Sequence, residues 1–229
     1  DISDNYIDLS KIQGQDIIDD LFRRDYTINA IALRLNDNAV EILDPSQGIK
    51  DLEKKSIKKI SLENLVNDPL RLLRAFRLKA ELNFSIDSDT ENDIIELSSL
   101  ISNVAEERVK VELFKILNTE KAYSTFYELY KTGLLAKLFP FIDDFKGFFS
   151  GKRHVFDLLE HSFNCMNIVE GFCNREFPIE IDNQQLMKET EADAKISGLI
   201  KLAALFHDVG KLVSKKEING KITKQGLGR

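Results

Sequence analysis

Asp68, Arg71, Arg74 and Arg77 follow one another at intervals of three in "NDPLRLLRAFRLK", one carboxylate followed by three guanidiniums. On a helix the arginines fall within an arc of about 120°, with Leu72, Leu73, Phe76 and Ala80 on the opposite side. One face is then a core contact and the other a guanidinium rail suited to an anion. Three like charges on one face repel one another without an anionic partner, although a solvated face is the plainer reading. Asp68 with Arg71 suggests something sharper. Cytosine and adenine each present an amino donor beside a ring-nitrogen acceptor, whereas uracil and guanine present a carbonyl beside an N–H. A carboxylate accepts from the amino group and a guanidinium donates to the ring nitrogen, so the pair would admit C and A and reject U and G. The plainer role for Asp68 is as the N-cap of a helix with Pro69 at its first position.

A second basic cluster opens "RRDYTINAIAL". Arg23 and Arg24 stand where a helix begins, a place where phosphate oxygens are held by charge and fork geometry together; a solvated basic turn is the alternative.

These residues need elements to position them. "DIIDDLFRRDYTINAIAL" has helical spacing and predicts one helix, broken at most near Asp25. Strands are predicted at Ala39–Leu43 and near Ile57–Ile60, with a turn at "DPSQG" between them, as the only β-leaning region. From Ser61 onward the pattern is helical through "LLAKLFPFIDDF". Two further helices, "HVFDLLEHSFNCMNIVEGF" and "SGLIKLAALFHDVGKL", are separated by a polar, mostly acidic linker from Asn174 to Lys195. The basic end "KKEINGKITKQGLGR" reads as a hairpin or a loose tail. The Phe-rich "LFPFIDDFKGFF" suits a partner surface as well as a core.

The 229 residues suffice for one large or two to three small domains, and 43% hydrophobic residues are normal for a globular chain. A net charge of −6 argues against a protein that coats nucleic acid non-specifically, so any nucleic-acid contact must be local. The two cysteines, Cys165 and Cys173, fit neither a zinc knuckle nor a disulfide framework, which makes a reducing cytoplasm the default. No apolar run approaches a membrane span. The chain opens on Asp1 rather than Met, as a fragment of a longer protein would.

Taken in order, "DDLFRRDYTINAIAL", "EILDPSQGIKDL", "NDPLRLLRAFRLKAELNFSID", Thr90, "ERVKVELFKIL" and "GLLAKLFP" resemble the class II tRNA nucleotidyltransferase and bacterial poly(A) polymerase family, which includes the CCA-adding enzymes. The series covers most of residues 16 to 142. The resemblance implies that Arg24 contacts the incoming nucleotide, with Arg23 and Asp25 at the pocket edge. It likewise makes Asp68 and Arg71 the base-selecting pair and Arg74 and Arg77 further nucleotide-binding residues. The family usually has Glu where this chain has Asn67, a change that would loosen Arg71. The family's Gly-rich segment and its strand of Mg²⁺-binding carboxylates are not found before residue 16, so the catalytic residues are expected outside this chain, which by itself should not polymerise.

"HVFDLLEHSF" and "LAALFHDVGKL" resemble the first two elements of HD-type metal phosphohydrolase domains. His207 and Asp208 offer a nitrogen and an oxygen ligand at a helix end, and His161 can complete three ligands around a divalent metal, with Lys211 placed for a phosphate. A satisfied polar cluster is the alternative. No aspartate follows Asp208, so this site is incomplete by the HD pattern, and His154 is read as a core or rim residue.

The expected protein is mainly α. Residues 1–60 form a small α/β remnant of a nucleotidyltransferase head, 61–145 a helical neck that selects nucleotide and binds RNA, and 146–229 a truncated, helical HD-like domain. The intact enzyme would use Mg²⁺ to add CMP or AMP from CTP or ATP to the 3′ end of tRNA or another RNA, without a membrane partner. The alternatives are a metal-dependent HD phosphohydrolase with an RNA-binding N-terminal region, a poly(A) polymerase, and a non-catalytic RNA- or nucleotide-binding module.

Overall fold

In a computed structural model of the chain, the structure describes residues 11–36, 39–149, 155–176, 194–218 and 221–224. The acidic linker lies largely outside them, as does His154.

Helix α1 (Ile17–Phe22) starts where the Asp16 carboxylate accepts from Asp19 N–H, and it stops before Arg23. It does not continue to Leu33. Asp25 Oδ1 accepts from Tyr26 N–H at 2.8 Å and from Asn29 Nδ2 at 3.1 Å. Main-chain bonds from Thr27 N to Lys58 O and from Ile60 N to Asp25 O draw the segment into a bridge with residues 58–60. A local carboxylate acceptor and a distant backbone partner together outcompete helix propagation. A 3₁₀ turn (Thr27–Asn29) leads into β1 (Ala32–Asn36), which pairs antiparallel with β2 (Ala39–Leu43). Leu33 faces Ile42 and Leu35 faces Val40 in that register, and all four side chains are exposed.

Asp44 then accepts from Gly48 N–H at 2.6 Å and Ile49 N–H at 3.0 Å, starting α2 (Gly48–Glu53). A Cβ on Gly48 would stand 2.0 Å from Thr27 O, so the close approach of α2 to the 3₁₀ turn requires glycine here. The predicted strand near Ile57–Ile60 is shorter and earlier than expected. It is β3 (Ser56–Ile57), parallel to β4 (Ser85–Ile86), a second β region that lacks any alternating pattern long enough to read.

Helix α3 (Leu62–Asn67) is capped by Ser61 Oγ, and α4 (Leu70–Leu82) ends on Asn83 in the left-handed region, φ 57°. Asp68 is not the side-chain cap of α4. Its carbonyl accepts from Arg71 N–H at 3.0 Å, while its carboxylate is drawn away to Arg108. Leu70, Leu72, Leu73, Ala75, Phe76, Leu78 and Ala80 bury the other face of α4, as the spacing predicts. Around it pack α5 (Ser88–Glu96), α6 (Glu106–Leu117), α7 (Ala122–Lys131) and α8 (Leu134–Leu138).

The Phe-rich stretch is core rather than a partner surface for the most part. Ile142 and Phe145 are fully buried, and Phe139, Phe141 and Phe148 pack on the core. Helix α9 (Leu158–Cys173) packs on α7 and on α10 (Ala194–Phe206), which also meets α6. Leu158, Leu159, Phe163, Met166 and Leu205 therefore join the same core as α4. After the short α11 (Lys211–Ser214), β5 (Lys215–Ile218) and β6 (Lys221–Lys224) pair antiparallel, as the hairpin reading of this basic stretch expects of its described residues. No helix among the described residues is long and apolar enough to cross a membrane.

Candidate functional site

The face of α4 opposite its core stripe meets the segment that follows α1. Between them lies a cleft of about 360 Å³ lined by Arg24, Asp25, Asn29, Arg71, Arg74 and Arg77. Four of the five nucleotide-binding residues expected from sequence are thus brought together. The fifth, Asp68, does not line the cleft.

The three guanidiniums of α4, which the sequence leaves without counter-charges, are answered from within the protein. Arg74 Nη2 is 2.9 Å from Oδ2 of Asp25, a carboxylate only 4% exposed. Arg77 meets Glu112 Oε2 at 3.2 Å and Glu81 at 3.4 Å. Arg71 donates to three carbonyls, those of Arg23 (2.8 Å), Arg24 (3.2 Å) and Asn64 (3.2 Å). Arg71 therefore clamps the Arg23–Arg24 backbone, and its order comes from these carbonyls rather than from residue 67. Asn64 Nδ2 reinforces the clamp by donating to Phe22 O and Arg24 O. The buried Tyr26 hydroxyl donates to Arg71 O at 2.6 Å; burial, and then the Asp25 charge, raise its phenol far above its ordinary value.

Even so, the cleft keeps anion-binding capacity. Arg24 is half exposed with a bond to Asn29 O and a pair to Asp20, and Arg71 Nη2 keeps one N–H beyond its bond to Arg23 O. Arg24, Arg74 and Arg77 each face a carboxylate, so among the four guanidiniums Arg71, held only by carbonyl oxygens, keeps a charge that no acidic side chain matches.

Asp68 pairs with Arg108 of α6, whose Nη2 donates to both carboxylate oxygens at 3.1 and 3.0 Å. Arg108 and Glu112 stand four residues apart on α6 and answer Asp68 and Arg77 across the interface. Sequence reasoning missed both, together with Asn29 and Asn64. The i, i+4 charge pair in "ERVKVE" was the one available signal.

A second cluster forms where α9 meets the end of α10. His161 Nε2 is 3.3 Å from His207 Nε2 and 3.4 Å from Asp208 Oδ2, and His207 Nε2 is 3.2 Å from that same oxygen. The three residues expected as metal ligands thus converge, and Lys211 pairs with Asp208 Oδ2. Cys165, one turn after His161, brings its Sγ to 3.7 Å from His161 Nε2. Burial raises the Cys165 thiol, as does Asp208. At Asp208 burial acts upward, but the Lys211 hydrogen bond and the neighbouring charges outweigh it and hold the carboxyl below its usual range.

Fold and site together define a mainly helical protein with a small α/β end piece and an arginine-lined cleft between the two. Residues 3–58 match the family described as the poly A polymerase head domain, and residues 83–146 match the one described as the probable RNA and SrmB-binding site of polymerase A. A CC-adding tRNA nucleotidyltransferase of Synechocystis is 38% identical over 133 residues, 58% of this chain and 32% of that protein. An A-adding tRNA nucleotidyltransferase of Deinococcus radiodurans is 32% identical over 198 residues, 84% of this chain and 40% of that protein. A solved tRNA nucleotidyltransferase, complexed with a primer tRNA and an incoming ATP analogue, shares the fold with a TM-score of 0.65 at 21% identity, over 86% of this chain and 52% of that one. The chain belongs to the family of the poly(A) polymerase head and the CCA-, CC- and A-adding tRNA nucleotidyltransferases. It spans less than half the length of the two curated relatives above.

Proposed function

We propose that the chain is the nucleotide-selecting part of an RNA 3′-terminal nucleotidyltransferase that adds CMP and AMP from CTP and ATP to the 3′ end of tRNA. Residues 1–60 are read as the end of its head and 61–145 as its neck, with 146–229 a third helical part. A CTP- and ATP-using RNA enzyme without a disulfide framework is read as cytoplasmic.

The observation that carries this reading is the convergence of Arg24, Arg71, Arg74 and Arg77 on one cleft between the head piece and α4. In it, Arg24, Arg74 and Arg77 hold the nucleotide's anionic parts. Asp68 and Arg71 select the base. Arg108 uses a single nitrogen on Asp68, which leaves each carboxylate oxygen able to accept from an exocyclic amino group. The bonds of Arg71 to carbonyls leave one Nη2–H for a ring nitrogen.

Nucleotidyl transfer draws on divalent metal to neutralise the triphosphate and activate the attacking hydroxyl. Among the residues lining the cleft only Asp25 carries a carboxylate, and it is committed to Arg74, Tyr26 N–H and Asn29. This donor set does not fit a two-metal site, and the role left to these residues is binding and selection.

Equilibrium binding of CTP, ATP, UTP and GTP to the chain, with Asp68→Ala and Arg71→Ala beside it, tests the reading. CTP and ATP should bind more tightly than UTP and GTP, and both substitutions should erase the difference while far-UV circular dichroism stays unchanged. Equal binding of all four that survives both substitutions would overturn it.

A further inference from the structure

We propose that Asn64 is a positioning residue for base selection, holding the Arg71 guanidinium where it meets the pairing edge of the nucleotide. The inference rests on the reading of Asp68 and Arg71 as the base-selecting pair, and it adds the residue on which the alignment of that pair depends.

Arg71 is the guanidinium of the cleft that most needs such support. Arg24 pairs with Asp20, Arg74 with Asp25, and Arg77 with Glu112 and Glu81, so each of these is set by an opposite charge. Arg71 rests instead on the carbonyls of Arg23, Arg24 and Asn64, at 2.8, 3.2 and 3.2 Å. Its place is therefore only as well defined as the backbone that carries those oxygens.

Asn64 fixes that backbone. Its side chain crosses from α3 to the segment that follows α1, where Nδ2 donates to Phe22 O at 2.7 Å and to Arg24 O at 2.8 Å. Both partners are carbonyls that can only accept, which identifies the nitrogen of the carboxamide and uses each of its two N–H groups. The two bonds bracket Arg23, whose carbonyl takes the shortest of the Arg71 bonds. A hydrogen-bonded ring then closes. Asn64 Nδ2 donates to Arg24 O, Arg71 Nη1 donates to that same oxygen, and Nη1 donates again to Asn64 O. Asn64 is itself anchored, since its N–H donates to Ser61 Oγ at 3.1 Å and its carbonyl accepts from Asp68 N–H at 3.4 Å. One residue thus holds the guanidinium of Arg71 and the backbone of Asp68.

The ring spends both Nη1 protons and leaves one Nη2–H to point at a base. A hydrogen bond weakens steeply as it departs from linearity, so this donor discriminates only while the guanidinium is held still. With the frame loosened, the aligned bond to the ring nitrogen of cytosine or adenine is lost, while the positive charge stays in the cleft. The loss therefore falls on CTP and ATP and spares UTP and GTP, which gain nothing from that bond. The Asn64 bonds lie at the solvent edge, where water can take over the two carbonyls, so removing them leaves the fold intact.

Equilibrium binding of the four nucleotides is compared between the unaltered chain, Asn64→Ala, Asn64→Asp and Arg71→Ala. Asn64→Asp keeps the shape of the side chain and removes both of its donors. Each Asn64 variant should weaken CTP and ATP by about tenfold, the worth of one well-placed base contact, and leave UTP, GTP and the far-UV circular dichroism unchanged. A preference for CTP and ATP that survives in both Asn64 variants but is lost in Arg71→Ala would overturn the role of Asn64 and leave the base-selecting pair standing. Equal weakening of all four nucleotides would reduce Asn64 to a structural residue and equally defeat the proposal. Equal binding of all four by the unaltered chain would remove the base-selecting pair itself, and the role of Asn64 with it.

Discussion

Asp25 is the residue on which the cleft turns. Its carboxylate is almost wholly buried and serves Tyr26 N–H, Asn29 and Arg74 at once. Asp25→Ala strands those donors, and since Arg74 keeps some water, the expected cost is about 2–3 kcal/mol, read from the urea midpoint. The same substitution should weaken nucleotide binding by releasing Arg74 from its fixed place. Asp208 gives a pH-dependent counterpart. Its carboxyl titrates below the ordinary value in the folded chain, so its stabilising contribution is present above about pH 4 and is lost as pH falls through the folded value. Denaturation midpoints of Asp208→Asn should accordingly fall less steeply with acid than those of the unaltered chain. The arginines of the cleft were legible from spacing and type. Their protein partners were not, because Asp25, Glu112 and the carbonyls of Arg23 and Arg24 reach them from segments whose positions no local pattern fixes.

Elements decide how firmly those side chains are held. Helices α4 and α6 are joined by two charge pairs of unequal worth. Asp68–Arg108 is partly exposed and should couple by about 0.5–1 kcal/mol in a double-mutant cycle. Glu112 is buried against Arg77, which is only 13% exposed, and Glu112→Ala should cost about 3 kcal/mol by leaving that guanidinium without its main counter-charge. Gly48 plays the equivalent part at the head piece. Gly48→Ala drives a methyl into Thr27 O and should cost about 3 kcal/mol or more, while displacing the turn that carries Asn29 into the cleft. Helices with a clear apolar stripe, such as α4, were legible in outline. The segment from Tyr26 to Leu33 was not, since its apolar spacing suits a helix, and the Asp25 carboxylate, the backbone partners at Lys58 and Ile60 and pairing with β2 make it a turn and strand.

At the scale of the molecule, α10 is tied to the neck by Lys201. This lysine is 2% exposed, donates to Leu117 O at 3.0 Å and Thr119 O at 2.8 Å, and lies 4.0 Å from Glu170, so it caps the end of α6 from another helix. Lys201→Ala leaves two carbonyls and a buried carboxylate short of a partner. It should lower stability by about 3 kcal/mol while unfolding remains a single transition by circular dichroism and tyrosine fluorescence, because α9 and α10 share the core of α4. The amino-acid sequence by itself determined the apolar stripe of α4, the arginine rail opposite it and the histidine–aspartate doublet. Each of these is set by side-chain type at a fixed helical or local spacing. Only the tertiary structure decided that Asp25 and Glu112 neutralise the rail, that Asp68 turns to Arg108, and that Cys165 stands beside His161, His207 and Asp208. Those pairings join elements far apart in the chain, and packing of the shared core, rather than local periodicity, brings them within bonding distance.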